Sequence, residues 1–232
     1  MDAPLMDFRR HTDVGYRDRA SRAGYVFRNY QPLLQESVLD VGSWQCCLKP
    51  LLPSGCQYIG VDVDSVHGTP DVIVNLERGG LPFVDRSFHC VVCTDVLEHL
   101  DNCHQVFDEL CRVASSYIIL SLPNPLGNIY QLLCQGGWVQ HKYYTLSSVQ
   151  HDRHKWFFGS RDAEMFVRQR GDQNGYFVRQ LDFSQSVPEE GTGLQGFLRR
   201  KARDFLFRHS PEIPYLYKGD LWCVLERKKP EV

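Results

Sequence analysis

The chain has 232 residues, of which 43% are hydrophobic and 23% are charged, and this is enough for one sizeable core. Its 26 basic and 28 acidic residues argue against a protein that coats nucleic acids, because phosphate binding needs a basic excess. No apolar run reaches the length of roughly 18 residues that a membrane-spanning helix needs, and no secretory signal is visible. Nine cysteines in this context are typical of reduced thiols in a cytoplasmic protein.

Helical spacing of apolar residues predicts a first helix over about residues 16–34. Short apolar strands then alternate with helices. The strands are predicted at residues 37–42, 58–63, 71–74, 88–93 and 117–122. A short helix is predicted at residues 46–52, and a longer helix capped by Asp101 follows the fourth strand. Such nearly all-apolar strands predict a parallel sheet that is covered on both faces.

The last third of the chain has a different pattern. A helix is predicted from Ser160 through Phe166, and two further strands are predicted at residues 176–183 and 221–226. Between these strands, residues 194–209 form a basic amphipathic segment. We expect its Phe and Leu side chains to pack on the domain and its basic face to be solvated. A membrane surface or an anionic acceptor remains the alternative partner of this segment. No long linker is visible, which favours a single domain over residues 1–232.

A glycine ends the first predicted strand and an acidic residue ends the second. Open parallel sheets bind ligands beyond the carboxyl ends of their strands, where the strand order reverses. Gly42 lets the backbone approach a ligand closely, and Asp62 can accept hydrogen bonds from two ribose hydroxyls. The pair indicates an adenosine-containing cofactor and leaves its identity open. An NAD enzyme is disfavoured, because residues 42–47 (GSWQCC) do not supply G-x-G-x-x-G.

Residues 81–100, LPFVDRSFHCVVCTDVLEHL, resemble a run of the class I S-adenosylmethionine-dependent methyltransferases, and the chain is similar to their type 11 members. The resemblance is good over residues 36–125 and continues more weakly through residues 121–124 and 151–158. It implies a Rossmann-like α/β fold with a seven-stranded, mostly parallel sheet, helices on both faces and an antiparallel last strand near Leu221. It also implies a cofactor-binding half at residues 36–125, an acceptor-side half at residues 126–232, and S-adenosylmethionine as cofactor.

The resemblance further implies which residues contact this cofactor. Asp62 would hold the ribose hydroxyls and Val63 would pack on the adenine, while Thr94 and Asp95 would lie beside the sulfonium. The full set of implied cofactor residues is Asp40, Gly42, Ser43, Trp44, Asp62, Val63, Asn75, Leu76, Thr94 and Asp95.

The glycine loop departs from the family pattern Asp-x-Gly-x-Gly-x-Gly. After Asp40 and Gly42, Trp44 and Cys46 replace the second and third glycines. Three orientations of the Trp44 ring are open. It can fill the space of the cofactor's methionine tail, point away from the pocket, or line the pocket as an aromatic wall. A binding or regulatory protein of the same fold that has lost its cofactor is therefore kept as the alternative function.

Four residues are candidates for chemistry on the acceptor: Glu98, His99, His151 and His154. In some family members an equivalent Glu-His pair, with further ligands, binds a divalent metal. No full ligand set can be assembled here, so we expect no metal, and we expect Glu98 and His99 to begin the next helix with structural hydrogen bonds. His151 and His154 are spaced to share one face of a helical turn. An imidazole titrates near neutrality, which suits removal of a proton from an acceptor hydroxyl or amine.

The resulting hypothesis is direct in-line methyl transfer to a small-molecule or saccharide-type acceptor. Its basis is the long, aromatic and only weakly basic segment at residues 124–160, where such enzymes build their acceptor pocket. We expect no nucleic-acid partner, and a monomer or a homodimer. A peripheral membrane enzyme that modifies lipids is the further alternative. Cys90 and Cys93 should point to opposite faces of their strand and bind no metal.

Overall fold

The computed structural model describes residues 18–125, 154–185, 193–209 and 218–229. Their helices are α1 (Arg19–Tyr30), α2 (Cys103–Val113), α3 (Ser160–Gln173) and α4 (Leu194–His209). Their strands are β1 (Ser37–Val41), β2 (Gln57–Asp62), β3 (Val72–Ile73), β4 (Phe88–Thr94), β5 (Ala114–Leu122), β6 (Tyr176–Gln185) and β7 (Lys218–Arg227). Short 3-10 turns span Gln31–Leu33, Lys49–Leu51 and Leu97–His99.

These strands form one sheet in the order β3-β2-β1-β4-β5-β7-β6. The first five strands pair in parallel, whereas β7 pairs antiparallel with both β5 and β6. The predicted Rossmann-like fold, including its antiparallel last strand, is confirmed. Because β1 lies between β2 and β4, the strand order reverses there, and the carboxyl ends of these three strands border the crevice in which open sheets bind ligands.

Apolar side chains cover both faces of the sheet. Cys93 belongs to a core cluster that includes Phe107 of α2 and Val167 of α3. Cys90 belongs to a second cluster that includes Tyr30 of α1 and Trp222 of β7. The two thiols of β4 therefore point to opposite faces, as the strand period requires. The eight cysteines within the described ranges are free thiols.

Helix α1 begins with a reciprocal cap and is anchored through its aromatic side chains. Asp18 accepts a hydrogen bond from the backbone N–H of Ser21, and the Ser21 hydroxyl accepts one from the backbone N–H of Asp18. Tyr25 and Tyr30 are buried, and the ring centroid of Tyr25 lies 4.6 Å from that of Trp222. This anchoring holds the first turn of α1 beside the sheet edge that carries the crevice.

Three predicted helix details are wrong. Asp101 does not cap α2, because Asn102 holds the cap position without a side-chain hydrogen bond, and the Asp101 carboxylate instead contacts Lys155 Nζ at 2.7 Å. Residues 46–52 form turns and the 3-10 turn Lys49–Leu51, since Cys46 has a φ of +52° that no right-handed helix accepts. Helix α3 continues beyond Phe166 to Gln173. No helix of the described ranges has the length and apolar content to cross a bilayer.

Candidate active site at the sheet edge

A cavity of about 1020 Å³ opens at the carboxyl ends of β1, β2 and β4. All ten residues that the sequence assigned to the cofactor line it, and so do Glu98, His99 and His154. His151 lies outside the described residues. The sequence therefore located one continuous site, although the role of each residue toward a ligand is a matter of proposal.

Gly42 is fixed by packing as well as by its backbone. Its φ is +76°, and a Cβ built on it would lie 2.3 Å from Val96 Cγ2. The N–H groups of Gly42 and Ser43 both donate to the carbonyl of Val61, at 2.8 and 3.0 Å. The expected reason for this glycine was close approach of a ligand, whereas the structure shows close approach of the Val96 side chain.

The two residues that replace family glycines keep a left-handed backbone. Trp44 and Cys46 both have a φ of +52°. This conformation costs a non-glycine residue roughly 1–3 kcal/mol, so the surrounding structure must enforce it. Gly68 takes part in this, because a Cβ there would lie 2.1 Å from the Trp44 carbonyl oxygen. The loop therefore holds two residues with side chains in a backbone conformation that favours glycine.

The Trp44 ring is held in a three-layer stack. The His67 ring is parallel to it at a centroid distance of 3.7 Å, and the Arg19 guanidinium carbon lies 3.4 Å from the Trp44 ring centroid. Two groups this close to one ring must occupy its opposite faces. All three side chains line the cavity. Of the three alternatives for Trp44, an orientation away from the cavity is therefore not observed.

Asp62 is oriented by two backbone amides. Its Oδ2 accepts a hydrogen bond from Trp44 N at 2.7 Å, and its Oδ1 accepts one from Val63 N at 2.8 Å. Each carboxylate oxygen has a further lone pair for a ligand hydroxyl. This arrangement and the cavity volume both fit S-adenosylmethionine, since ligand pockets usually hold roughly 300–1,000 Å³.

Asp40 is buried at the end of β1. Its Oδ2 accepts a hydrogen bond from the Tyr58 hydroxyl at 2.8 Å. Burial raises the pKa of Asp40 to about 6, against the lowering effect of that hydrogen bond, and the nearby charge of Asp62 raises it further. The group is therefore a poorly solvated carboxyl rather than a free surface charge.

Asn75 and Leu76 lie in a turn after β3 that other side chains fix. The Asn75 Oδ1 accepts a hydrogen bond from Glu77 N at 2.9 Å, and the Leu76 carbonyl accepts one from Asn102 Nδ2 at 2.8 Å. The hydrogen bond from Asn102 connects this turn to the start of α2, and it holds Asn75 and Leu76 at the cavity wall.

Thr94 and Asp95 end β4, and two residues that the sequence did not assign hold them. Arg22 Nη1 lies 2.9 Å from Asp95 Oδ2, and it also donates to the Thr94 carbonyl at 3.5 Å. The Ser121 hydroxyl donates to Asp95 Oδ1 at 2.6 Å and accepts from Asp95 N at 3.1 Å. Arg22 comes from α1 and Ser121 from β5, so only the folded sheet joins them to Asp95.

Glu98 is fully buried in the 3-10 turn Leu97–His99, before α2 begins. Neither of its carboxylate oxygens has a hydrogen-bond partner among the described residues. Glu98 and His99 therefore precede α2 rather than begin it, and the expected hydrogen bond of the Glu98 carboxylate is wrong. Burial raises the pKa of Glu98 well above its ordinary value, and the charge of Asp95 raises it further.

A short extended segment brings His154 to this turn. The backbone N–H groups of Lys155 and Trp156 donate to the Glu98 carbonyl at 2.6 and 3.2 Å, and Trp156 Nε1 donates to the Leu100 carbonyl at 2.7 Å. Lys155 Nζ forms ion pairs with Glu77 and Asp101. His154 itself lies in extended backbone rather than in the expected helical turn. We call residues 154–156 the strap.

The strap assembles a cluster of three potential ligands. The His99 and His154 rings meet edge to face at a centroid distance of 4.8 Å, and His99 Nε2 lies 3.7 Å from Glu98 Oε1. One donor atom from each of Glu98, His99 and His154 lies within 4.8 Å of the other two. Two imidazoles and one carboxylate form a common protein ligand set for a divalent metal.

Residues 39–117 match a family model described as a methyltransferase domain. Over these residues the chain is similar to methyltransferase domains. The expected resemblance to methyltransferases is confirmed over these residues, and it supports S-adenosylmethionine as the cofactor. Among curated proteins, none matches the sequence of this chain.

Solved structures of methyltransferases share the fold. A S-adenosylmethionine-dependent methyltransferase from Archaeoglobus fulgidus is 15% identical with a TM-score of 0.57, and the match covers 91% of this chain and 96% of that one. The magnesium protoporphyrin IX methyltransferase of Synechocystis, solved with bound S-adenosylhomocysteine, is 16% identical with a TM-score of 0.51, covering 90% and 81%. The small RNA methyltransferase HEN1 is 14% identical with a TM-score of 0.55, covering 100% of this chain and 28% of that one. At these identities the likeness concerns the fold.

Proposed function

We propose that this methyltransferase domain acts on a small-molecule or saccharide-type acceptor that binds beside Glu98, His99 and His154. The observation that carries the proposal is the single cavity of about 1020 Å³ that contains both the cofactor-assigned residues and this cluster. Its volume is at the upper end of the roughly 300–1,000 Å³ usual for ligand pockets, which suits a cofactor with a small acceptor beside it.

The cofactor side of the cavity is preorganised by backbone contacts. Asp62, oriented by two amide N–H groups, would hold the ribose hydroxyls, with Val63, Asn75 and Leu76 around the adenine. Asp95, fixed by Arg22 and Ser121, would lie beside the sulfonium. When bound, S-adenosylmethionine supplies a methyl group that is already activated for in-line transfer. The protein then has mainly to orient the acceptor and take its proton.

The cluster on the acceptor side suits this proton transfer. Burial raises the pKa of Glu98 well above its ordinary value and gives its oxygens no access to solvent, so the imidazoles of His99 and His154 are the better placed bases along the cavity. His99 is the partly exposed member of the pair, which lets an acceptor hydroxyl approach its ring. His151 would add to this base function, as the sequence suggests.

The same cluster supports a second arrangement, in which a divalent cation orients the acceptor oxygens. The buried Glu98 carboxylate without a hydrogen bond favours it, because metal binding would satisfy that group. Loss of methyl transfer after treatment with EDTA, restored by added Mg²⁺, Mn²⁺ or Zn²⁺, would identify the cation arrangement. Insensitivity to EDTA would leave the imidazole base as the mechanism.

Calorimetric titration with S-adenosylhomocysteine tests the cofactor assignment. Asp62→Ala should abolish binding, because it removes the acceptor for the ribose hydroxyls, while the exposed Asp85→Ala should bind as the unmodified protein does. Circular dichroism of both variants checks the fold. Unchanged affinity of Asp62→Ala would contradict the assigned pocket, and no binding by the unmodified protein would favour the non-catalytic alternative.

Methyl transfer from labelled S-adenosylmethionine to panels of saccharides, other small molecules and small RNAs tests the acceptor class. We expect transfer to a hydroxyl or amine of a small molecule or a saccharide, and we expect its loss in His99→Ala. Transfer to RNA alone would replace the small-molecule proposal, which the similarity to HEN1 makes a necessary comparison.

A further inference from the structure

The large apolar side chains that the structure describes on helix α4 are all exposed. Leu194 is 74% exposed, Phe197 49%, Leu198 57% and Phe205 61%. The sequence led us to expect the Phe and Leu side chains of this segment to pack on the domain, and for these four the expectation is wrong. Contiguous exposed apolar surface of this kind marks an interaction site more often than a solvated helix.

The four exposed residues share one face of α4. At 100° per residue they fall within an arc of about 100° around the helix axis. Lys201 lies inside this arc, with its Nζ 5.7 Å from the Phe197 ring centroid. Gly196, a buried residue of the helix, lies on roughly the opposite side. The helix therefore turns a glycine inward and an apolar face outward.

The charge of α4 is strongly basic. Its sequence contains five lysines and arginines and a single acidic residue, Asp204. Lys201 can lay its methylene chain on apolar neighbours while its ammonium reaches a polar layer. An apolar face with interspersed basic residues is the pattern of helices that lie in a membrane interface.

The topology places α4 at the edge of the sheet that carries the active site. Because β7 is antiparallel to both β5 and β6, β6 runs parallel to β5 and ends at the same edge. Helix α4 lies in the connection that leaves β6 there and returns as β7. Asp220, at the start of β7, lines the cavity.

We propose that α4 docks the protein on an anionic lipid surface, with its apolar face in the interface and Lys201, which lies on that face, toward acidic headgroups. A second copy of this chain is a poorer occupant, because a two-fold interface would bring two basic helices together. A nucleic acid would use the basic residues but would leave Leu194 and Leu198 in water. The proposal is independent of the acceptor and of the catalytic mechanism.

Flotation of the full chain with lipid vesicles tests the proposal. The protein should float with phosphatidylcholine vesicles that contain about 30% phosphatidylglycerol, only weakly with pure phosphatidylcholine, and less at about 0.5 M salt. The double variant Phe197→Gln/Phe205→Gln should lose binding at least about tenfold, because it removes buried apolar area. Val84→Gln, a change at a residue 76% exposed outside α4, should float as the unmodified protein does.

Circular dichroism and binding of S-adenosylhomocysteine should be unchanged in the double variant, since its two phenylalanines lie outside the cavity. Absence of flotation with anionic vesicles would overturn the proposal. Equal flotation of the double variant would also overturn it. A dimer in gel filtration that the double variant breaks, without vesicle binding, would make a second copy the occupant, and RNA binding without vesicle binding would make it a nucleic acid.

Discussion

Asp40 is a carboxyl group whose surroundings favour its protonated form. Burial raises its pKa from a model-compound value of 3.8 to about 6. Ionisation is thus harder in the folded than in the unfolded chain. Below about pH 4 the carboxyl is protonated in both states and costs no stability. As the pH rises from about 4 through 6, the free energy of unfolding falls, and above about pH 6 the loss is complete. Each tenfold change in proton affinity is worth about 1.4 kcal/mol, so the penalty is on the order of 3 kcal/mol.

Asp40→Asn should therefore raise the free energy of unfolding at pH 7 and leave it nearly unchanged at pH 4. The amide oxygen can still accept the Tyr58 hydrogen bond, so the variant removes the charge alone. Urea unfolding at several pH values between 4 and 7 measures the difference. Asp162→Asn, at an exposed position of α3, serves as control and should show little change above pH 5. A difference for Asp40→Asn that is constant over this range would contradict the burial argument.

At the scale of single residues, the sequence predicted where the site residues lie better than it predicted their burial and backbone conformation. Strand ends are readable from apolar runs, so Gly42, Asp62 and Asp95 were placed correctly at one edge. The burial of Glu98 was not predictable, because it depends on the strap, which lies more than fifty residues later in the chain. The left-handed backbone of Trp44 was also unexpected, since nothing local in its sequence favours that conformation.

The strap is the element that converts a Glu-His pair into a three-residue cluster. Its two backbone hydrogen bonds end on the Glu98 carbonyl, and its Trp156 indole N–H bonds to the Leu100 carbonyl. The ion pairs of Lys155 are partly exposed, so each is worth little, on the order of 0–1 kcal/mol. The buried hydrogen bonds should thus determine whether His154 stays beside His99.

Trp156→Phe should loosen the strap while it keeps an aromatic ring in place. The lost indole hydrogen bond costs about 1 kcal/mol and leaves the Leu100 carbonyl without that donor. The backbone amides of residues 155 and 156 should then exchange hydrogen faster than in the unmodified protein. NMR, or mass spectrometry of the corresponding peptide, measures this exchange. Phe158→Leu alters the neighbouring ring without touching the hydrogen bond and should leave that exchange slow. Equal protection in Trp156→Phe would show that the indole does not hold the strap.

At the scale of elements, the bounds of α4 were predicted correctly and its packing incorrectly. Amphipathic periodicity identifies an apolar face but carries no information on whether another part of the chain covers it. The antiparallel direction of β7 came only from the family resemblance. The apolar residues of β7 would fit any position in the sheet, so they do not predict it.

Trp222 connects the sheet to α1 across one core cluster. It is fully buried, and its ring contacts those of Tyr25 and Tyr30. Trp222→Ala should lower the free energy of unfolding by roughly 3–5 kcal/mol. It should also weaken S-adenosylhomocysteine binding, because α1 carries Arg22 to Asp95.

Guanidinium unfolding and calorimetric titration measure the two effects. Phe177→Ala, a large half-exposed residue of β6, should cost much less stability and leave the affinity unchanged. If Trp222→Ala does not fold, Trp222→Phe supplies the same comparison with a smaller cavity. Lost stability with unchanged affinity would show that α1 holds its site contacts without this anchor.

The interior place of β7 has a consequence for synthesis on the ribosome. The last strand of the described chain lies between β5 and β6, so β6 has no neighbour in the sheet until β7 has emerged. Until then the nascent protein presents the open edge of β5, which is a template for pairing with other chains. The sheet is completed only when β7 is made, and we expect the nascent chain to depend on chaperone protection until β7 leaves the exit tunnel.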